Sequence, residues 1–495
     1  MGPRYSHDQV TRISKTDRTT ALPLSTGQLR LWFLSQMKEA GSGYCDTYAI
    51  RFDGRLNVRI LEKTFNEVIR RHDAMRMSIS LLDGHPVQSI HRVLDTSIPV
   101  IDCRSYDGLE RDRRVREEGI AANREVIDLT SYPLWRIKLL RISDRDNTLL
   151  LTIHHVIGDG WSQLIFFHEV AKRYKAYLEE TTSTFPELPI GYGDYCLWER
   201  PRQERDELNK QLIYWEETLC DAPTITCFPG DLHRPSTLTF EGAGESVWFS
   251  NKLSDDIKEL AVSECTEGWI VLLAVLKILL YIRTGQEDLV IGYSSSNRTR
   301  EETKQMIGMF VNAVAIRCTV EANPTILEII RQVNKGCHDA KTNEEVGLPT
   351  ILSRLRLKRD FSRNPLFQTF VLQEFYPRPV CIDSLTISHF PLTSDVSRFD
   401  LELWIAQEAS EGTEQSHARC LGVHFQRNRK VYSEKFLSKL IRDYKALVER
   451  VIKDPSANIG SLNDIVSCDK VLKHRSPDKN SLSDSLLQAR RKVRS

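Results

Sequence analysis

The sequence predicts an α/β (α+β) protein of two lobes. Its 495 residues are more than one small core organises, since single cores stop growing at roughly 250–300 residues. From Leu22 onward, short strand-like runs alternate with segments of helical apolar spacing. Near the middle the chain breaks in a Pro/Gly-rich stretch, Ala222-Pro223 to Pro229-Gly230-Asp231 and Arg234-Pro235, a natural lobe boundary. The division read from this is a flexible N-terminal arm (1–20), an N-terminal lobe (21–200), and a C-terminal lobe (201–469) that includes a crossing linker (201–236). A basic flexible tail (470–495) follows, a candidate docking segment for an acidic partner.

The elements follow from local patterning. Tyr48 to Phe52 alternates like a strand, and Ile60 to Arg71 places Leu61, Phe65, Val68 and Ile69 at helical spacing. Leu134 to Ile142 and Thr148 to Ile153 read as strands, the second as a buried one. A helix from Ser162 runs through Tyr174 and Leu178 and breaks near Thr181 to Pro186; another spans Leu208 to Leu219. In the second half, Leu253 to Val262, Trp269 to Tyr281, Pro324 to His338 and Glu434 to Ile452 read as helices. Leu289 to Tyr293, Val311 to Val320, Phe367 to Leu372, Leu401 to Ala406 and Leu421 to Phe425 read as strands.

Bulk properties narrow the function classes. A formal net charge of +1 argues against a nucleic-acid binder, which carries a strongly basic domain. The longest apolar run, Trp269 to Leu276, is too short to span a bilayer. The N-terminus (Arg4, His7, Asp8, Arg12, Lys15) lacks a secretory core, and the 11 cysteines show no metal-ligand spacing. A cytoplasmic, monomeric enzyme with reduced thiols and no metal is expected.

One stretch concentrates chemistry: His154-His155-Val156-Ile157-Gly158-Asp159-Gly160-Trp161-Ser162. A buried strand feeds it and an amphipathic helix leaves it, a place where a scaffold holds a titratable side chain at a cavity mouth. Histidine titrates closest to neutrality, so it can give or take a proton there. Adjacent strand residues point to opposite faces, so only one of the two histidines is expected to face a cavity.

With its Trp161-Ser162 continuation, this motif resembles the condensation domains of nonribosomal peptide synthetases, members of the chloramphenicol-acetyltransferase-like superfamily. Six further blocks carry the resemblance in order. They are Leu24 to Trp32, Arg71-His72-Asp73-Ala74-Met75-Arg76, Tyr192 to Trp198, Ile307 to Asn312, a degenerate block over Asn343 to Pro349, and Arg359 to Leu366. The resemblance implies two such lobes in a V-shaped pseudo-dimer with a central tunnel. It implies a free-standing acyltransferase forming an amide between a carrier-bound acyl or peptidyl thioester and an amine, carrier-bound or free, in nonribosomal or hybrid polyketide-peptide biosynthesis. The phosphopantetheine arms come from partner carrier proteins, and this chain binds no cofactor of its own.

Residue roles follow from the resemblance and from chemistry. His155 is the expected catalytic group, accepting the amine proton or holding the amine at attack distance. Gly160 is grouped with it as a close-approach position and oxyanion donor, and so is His154, although strand alternation favours packing for that ring. Asp159 is expected to pair with Arg298 and fix the turn rather than to complete a triad. Trp161, Ser162 (as N-cap), Arg30, Arg76, Asn312, Ser362 and Asn364 are expected along or around the tunnel.

Competing readings are an ester-forming condensation, a coenzyme A-dependent acyltransferase of the same superfamily, and a non-catalytic recruitment platform. The Asp-Phe-Gly-Trp-Gly block of plant-type acyltransferases is missing here, heterocyclising relatives replace both histidines, and Gly160-Trp161-Ser162 disfavours an epimerisation domain. No Gly-Gly-x-Ser carrier site or Gly-rich adenylation loop is found, so partners are expected to act in trans.

Overall fold

The computed structural model describes residues 12–16, 21–36, 43–106, 108–181, 185–204, 208–320, 323–357, 360–408 and 420–466. Two six-stranded mixed sheets organise it. The first runs Val380–Ile382, Leu385–His389, Cys45–Asp53, Asp146–His154, Trp135–Arg141, Val100–Asp102. The second runs Asn312–Thr319, Asp288–Ser295, Thr369–Tyr376, Leu401–Glu408, Leu421–Asn428, Gly242–Trp248. A three-stranded sheet of Leu22–Pro23, His85–Ile90 and Met77–Leu82 stands apart.

Strand Asp146–His154 lies inside the first sheet, paired antiparallel on both sides. Leu149, Leu151 and Ile153 enter one core with helices Val58–Arg71 and Gly160–Leu178, while Leu150 joins a second cluster with Val115 of helix Gly108–Arg124. Burial on both faces explains why this strand is apolar without alternation. The second sheet packs on Asn251–Ser263, Gly268–Thr284, Ile326–Thr342 and Glu434–Lys453. Gly268–Thr284 is the expected apolar helix, buried from Trp269 to Leu280 and stopped at Gly285, whose φ of 67° is the left-handed conformation glycine adopts freely. Among the described residues no single helix is long and apolar enough to cross a membrane.

Two expectations change. The lobe boundary is not sequential: strands Val380–Ile382 and Leu385–His389 cross over and extend the first sheet through pairing with Cys45–Asp53. Part of the expected N-terminal arm is packed, with Ile13 2% exposed in the first core and Thr16 N–H bonded to Asp194 at 2.8 Å. A lone apolar residue in a polar stretch is too little signal to reveal such docking. The described part of the linker contains helix Asn209–Leu219, whose buried Trp215 donates to the Asn343 carbonyl at 2.8 Å, so this segment packs with the second half. The basic tail at 470–495 lies outside the described residues.

Candidate active site

The double-histidine stretch forms a tight strand-to-helix turn. His154 ends its strand, His155–Ile157 makes one 3-10 turn, and Asp159 caps helix Gly160–Leu178. Asp159 Oδ1 accepts from the Ser162 amide at 2.8 Å, so Asp159 and not Ser162 is the N-cap, because the helix starts two residues earlier than its apolar periodicity suggests. His155 N–H donates to the Tyr44 carbonyl at 2.7 Å, tying the turn to the neighbouring strand. A Cβ at Gly158 would come 2.7 Å from Ile153 Cδ1, so a larger residue there would have to displace that methyl group.

Asp159 is fully engaged. Its Oδ1 accepts from the Ser162 hydroxyl at 2.7 Å and from Arg298 Nη2 at 3.0 Å, and its Oδ2 accepts from the Phe310 amide at 3.1 Å. Arg298 Nη1 donates to the carbonyls of Thr303 (2.5 Å) and Met306 (2.7 Å), and its guanidinium lies 4.1 Å from the Phe310 ring centre. Burial opposes ionisation of Asp159, but the Arg298 charge and the Ser162 and Phe310 hydrogen bonds outweigh it and hold the carboxyl below its ordinary value.

Dispersed sequence blocks interlock around this turn. Gln28 Nε2 donates to the Val156 carbonyl at 3.1 Å, and the Ile307 amide donates to His72 Nδ1 at 3.2 Å. Tyr192 Oη donates to the Met309 carbonyl at 2.6 Å. Met306, Ile307, Met309 and Phe310 sit in the first core, so this loop of the second half is pinned into the first.

His155 has different surroundings. Its side chain is 15% exposed, its Nε2 lies 3.8 Å from Asp46 Oδ2, and its buried Nδ1 has no hydrogen-bond partner among the described residues. Asp46 Oδ1 accepts from Arg398 Nη2 at 2.6 Å, and Arg398 Nε also donates to the Gly43 carbonyl at 3.0 Å. Burial lowers the His155 pKa; Asp46 raises it and Arg398 lowers it, for a net shift downward. The ring is therefore neutral near neutral pH, the form that accepts a proton.

Both halves of the molecule line one cavity of about 830 Å³. The first contributes Asp46, His155, Gly160 and Trp161; the second contributes Trp269, Tyr293, Glu374, Trp404 and Arg398. A side chain at Gly160 would meet nothing within 4 Å, so its backbone borders open space. Trp161 is 40% exposed, and its Nε1 donates to the Lys304 carbonyl at 3.0 Å.

Other candidates stand elsewhere. His154 is 3% exposed, outside the lining, with Nδ1 accepting from the Val156 amide at 3.1 Å; burial drives its pKa down to about 3. Grouping it with the catalytic residues is corrected to a packing role, since its ring serves the turn backbone. Ser162 is buried, bracing Asp159 and the Gly308 backbone. Arg76 does not reach the cavity; it pins the carbonyls of Ile69 and His91 and pairs with Asp73 at 2.7 Å. Arg30 and Asn312 border a separate small crevice, and Asn312 Nδ2 binds the carbonyls of Glu344 and Val346. Ser362 closes a turn on Asp360, while Asn364 Nδ2 holds the Arg398 carbonyl at 2.8 Å and so supports the Arg398 loop. These polar side chains are consumed by backbone groups that the fold leaves needing partners.

Sequence reasoning missed Asp46, Arg398 and the aromatic wall. Asp46 and Arg398 are 352 positions apart, and neither sits in a local pattern. The ten described cysteines are free thiols, and no group of three potential metal ligands exists among the described residues.

A condensation-domain family model matches residues 18–470. The chain is 31% identical over 468 residues to a linear gramicidin synthase of Brevibacillus parabrevis, covering 93% of this chain. It is 31% identical over 448 residues to surfactin synthase subunit 1 of Bacillus subtilis, covering 90% of this chain. It spans only about a tenth of the length of these relatives, 9% and 12% respectively. As a fold, it resembles the X-domain from teicoplanin biosynthesis (TM-score 0.78, 22% identity, 91% of this chain and 99% of that one). It also resembles the starter condensation domain of rhizomide synthetase (TM-score 0.78, 17% identity, 90% and 97%).

Proposed function

Because this chain belongs to the condensation-domain family, we propose that it catalyses amide formation between a carrier-bound acyl or peptidyl thioester and an amine acceptor. The single observation that carries this reading is the neutral imidazole of His155 bordering a cavity walled by both halves of the chain.

The chemistry matches the geometry. The acceptor nitrogen attacks the thioester carbon, the N–C bond forms, and a tetrahedral oxyanion develops. His155 holds the neutral amine and takes the proton that its nitrogen sheds. The C–S bond then breaks, and the proton goes to the leaving thiolate, regenerating imidazole. Gly160 supplies the first amide of helix Gly160–Leu178, beside open space, as a donor for the oxyanion. Asp46 and Arg398 set the charge around the ring, and Asp159 with Arg298 holds the turn. The acyl arm is delivered by a carrier protein through its phosphopantetheine thiol, and the amine arrives on a second carrier or free, so that arm is substrate rather than a resident cofactor.

The test is incubation with an acyl-loaded carrier and candidate amines, read by mass spectrometry. Amide product that disappears in His155→Ala while the thermal transition persists is the expected result. Turnover with acyl-coenzyme A and no carrier would replace this reading with a coenzyme A-dependent transferase. Absence of any turnover, with partner proteins bound, would replace it with a recruitment role.

A further inference from the structure

The second sheet presents to the cavity a carboxylate that amide formation leaves unused. Glu374, on strand Thr369–Tyr376, stands in register with Ala406, which pairs with Gly422, which pairs with Trp248. Two residues back along the same strand, Leu372 begins a parallel row through Trp404, His424 and Ser246. Residues two apart on a strand share a face, and Glu374, Leu372, Trp404, His424 and Trp248 all line the cavity. Gly422 lets the Trp248 indole lie against the sheet: a Cβ there would be 2.5 Å from the ring. The result is an acid at one end of an aromatic wall.

Among the described residues the acid has one polar partner, the Tyr376 hydroxyl, which donates to it at 2.8 Å. No cationic side chain among them pairs with Glu374. The lysine and arginine side chains of the lining are Arg116, Lys341 and Arg398: Arg398 is held by Asp46 at 2.6 Å, the Arg116 guanidinium sits 5.3 Å from the Phe390 ring centre, and Lys341 acts on the Glu344 carboxyl. Burial pushes the Glu374 carboxyl up to about 7. An ionised carboxyl in that position is short of compensation, and a cationic guest offsets the deficit both by ion pairing and over aromatic faces.

We propose that Glu374 is a specificity-determining residue, selecting a substrate whose side chain carries an ammonium or guanidinium group. This rests on the cavity being the condensation site, but binding can be read without turnover. The Nα-acetyl N-methylamides of arginine and citrulline form a cationic and neutral pair of nearly the same shape, as those of lysine and norleucine do less closely. Calorimetric titration of the unaltered protein is expected to show the cationic member of each pair binding at least tenfold more tightly. Glu374→Gln keeps an acceptor for Tyr376 and removes the charge. In that variant, preference is expected to fall below about threefold, with the neutral probes unchanged. Equal binding of both members by the unaltered protein, binding of neither, or a preference that survives Glu374→Gln would overturn the proposal. Because no product is measured, loss of condensation activity in a separate assay leaves this result readable.

Discussion

Among the Asp–Arg pairs that connect the two halves of this molecule, two differ in the use made of their charge. Asp159 and Arg298 are 2% and 3% exposed, and every oxygen of the carboxylate is occupied. Asp46 and Arg398 are 26% and 20% exposed, border the cavity, and leave Asp46 Oδ2 facing His155 at 3.8 Å. A dry pair whose carboxylate is fully engaged can only hold geometry. A half-open pair keeps a field directed at its neighbour, and that field adjusts the proton affinity of an imidazole that burial already lowers. Loss of activity on mutation therefore means something different at each pair.

Breaking the closed pair gives the largest expected effect. Arg298→Ala strands the Asp159 charge and is expected to cost about 3–5 kcal/mol of folding stability, seen as a lower unfolding midpoint together with lost activity. His155→Ala is expected to leave that midpoint nearly unchanged while lowering kcat/KM by about 100-fold or more; equal stability losses at both sites would erase the contrast.

Acid titration sharpens it further. His154 has a folded pKa of about 3 against an ordinary 6.5, so between those values the unfolded chain binds a proton that the folded chain refuses. Stability is thus retained near pH 7 and falls as pH drops below about 6.5. By pH 5 the loss from this ring is about 2 kcal/mol. Denaturant unfolding at the two pH values is expected to show His154→Gln losing correspondingly less.

The open pair gives a smaller, signed effect. Under the proposed chemistry the base form of His155 is required, so activity is expected to fall as pH drops through its pKa. Asp46 raises that pKa and Arg398 lowers it. Asp46→Asn is expected to move the acidic limb of the kcat/KM profile down by about one unit, and Arg398→Ala to move it up by a similar amount. Shifts in the same direction would refute the assignment of the pair as a field source. The smallest effect on stability is expected from Gly160→Ala. Its added methyl meets nothing within 4 Å, so the unfolding midpoint is expected to hold while the methyl, bordering the cavity, raises KM for the acyl substrate.

Much of the fold was legible because its elements are written in short periods. The strand through Leu149, Leu150 and Leu151 announced itself as continuously apolar, and the helix at Trp269 as too apolar for a surface. The turn was legible because Gly158, Asp159 and Gly160 serve local backbone needs, a close approach, a cap and an open edge. Whether Arg76, Asn312 and Ser362 line the cavity or brace the fold was not legible, because a polar residue in a motif block is as easily claimed by backbone carbonyls, as Arg76 and Asn312 are, or by a neighbouring carboxylate, as Ser362 is, and only packing decides which. Asp46, Arg398 and Glu374 were invisible because nothing within a few residues of each depends on them.

The sequence by itself determined the alternation of elements, the strand-to-helix turn, the family, and the Asp159–Arg298 partnership, all of which rest on short-range pattern or ordered blocks. Only tertiary structure decided that residues 380–389 join the first sheet, and that Asp46, Arg398 and Glu374 share one space. The physical reason is range. Periodicity and capping are enforced within a turn or two of chain, whereas a cavity is the gap left between surfaces that meet after hundreds of residues have packed, and its lining has no neighbour in sequence to betray it.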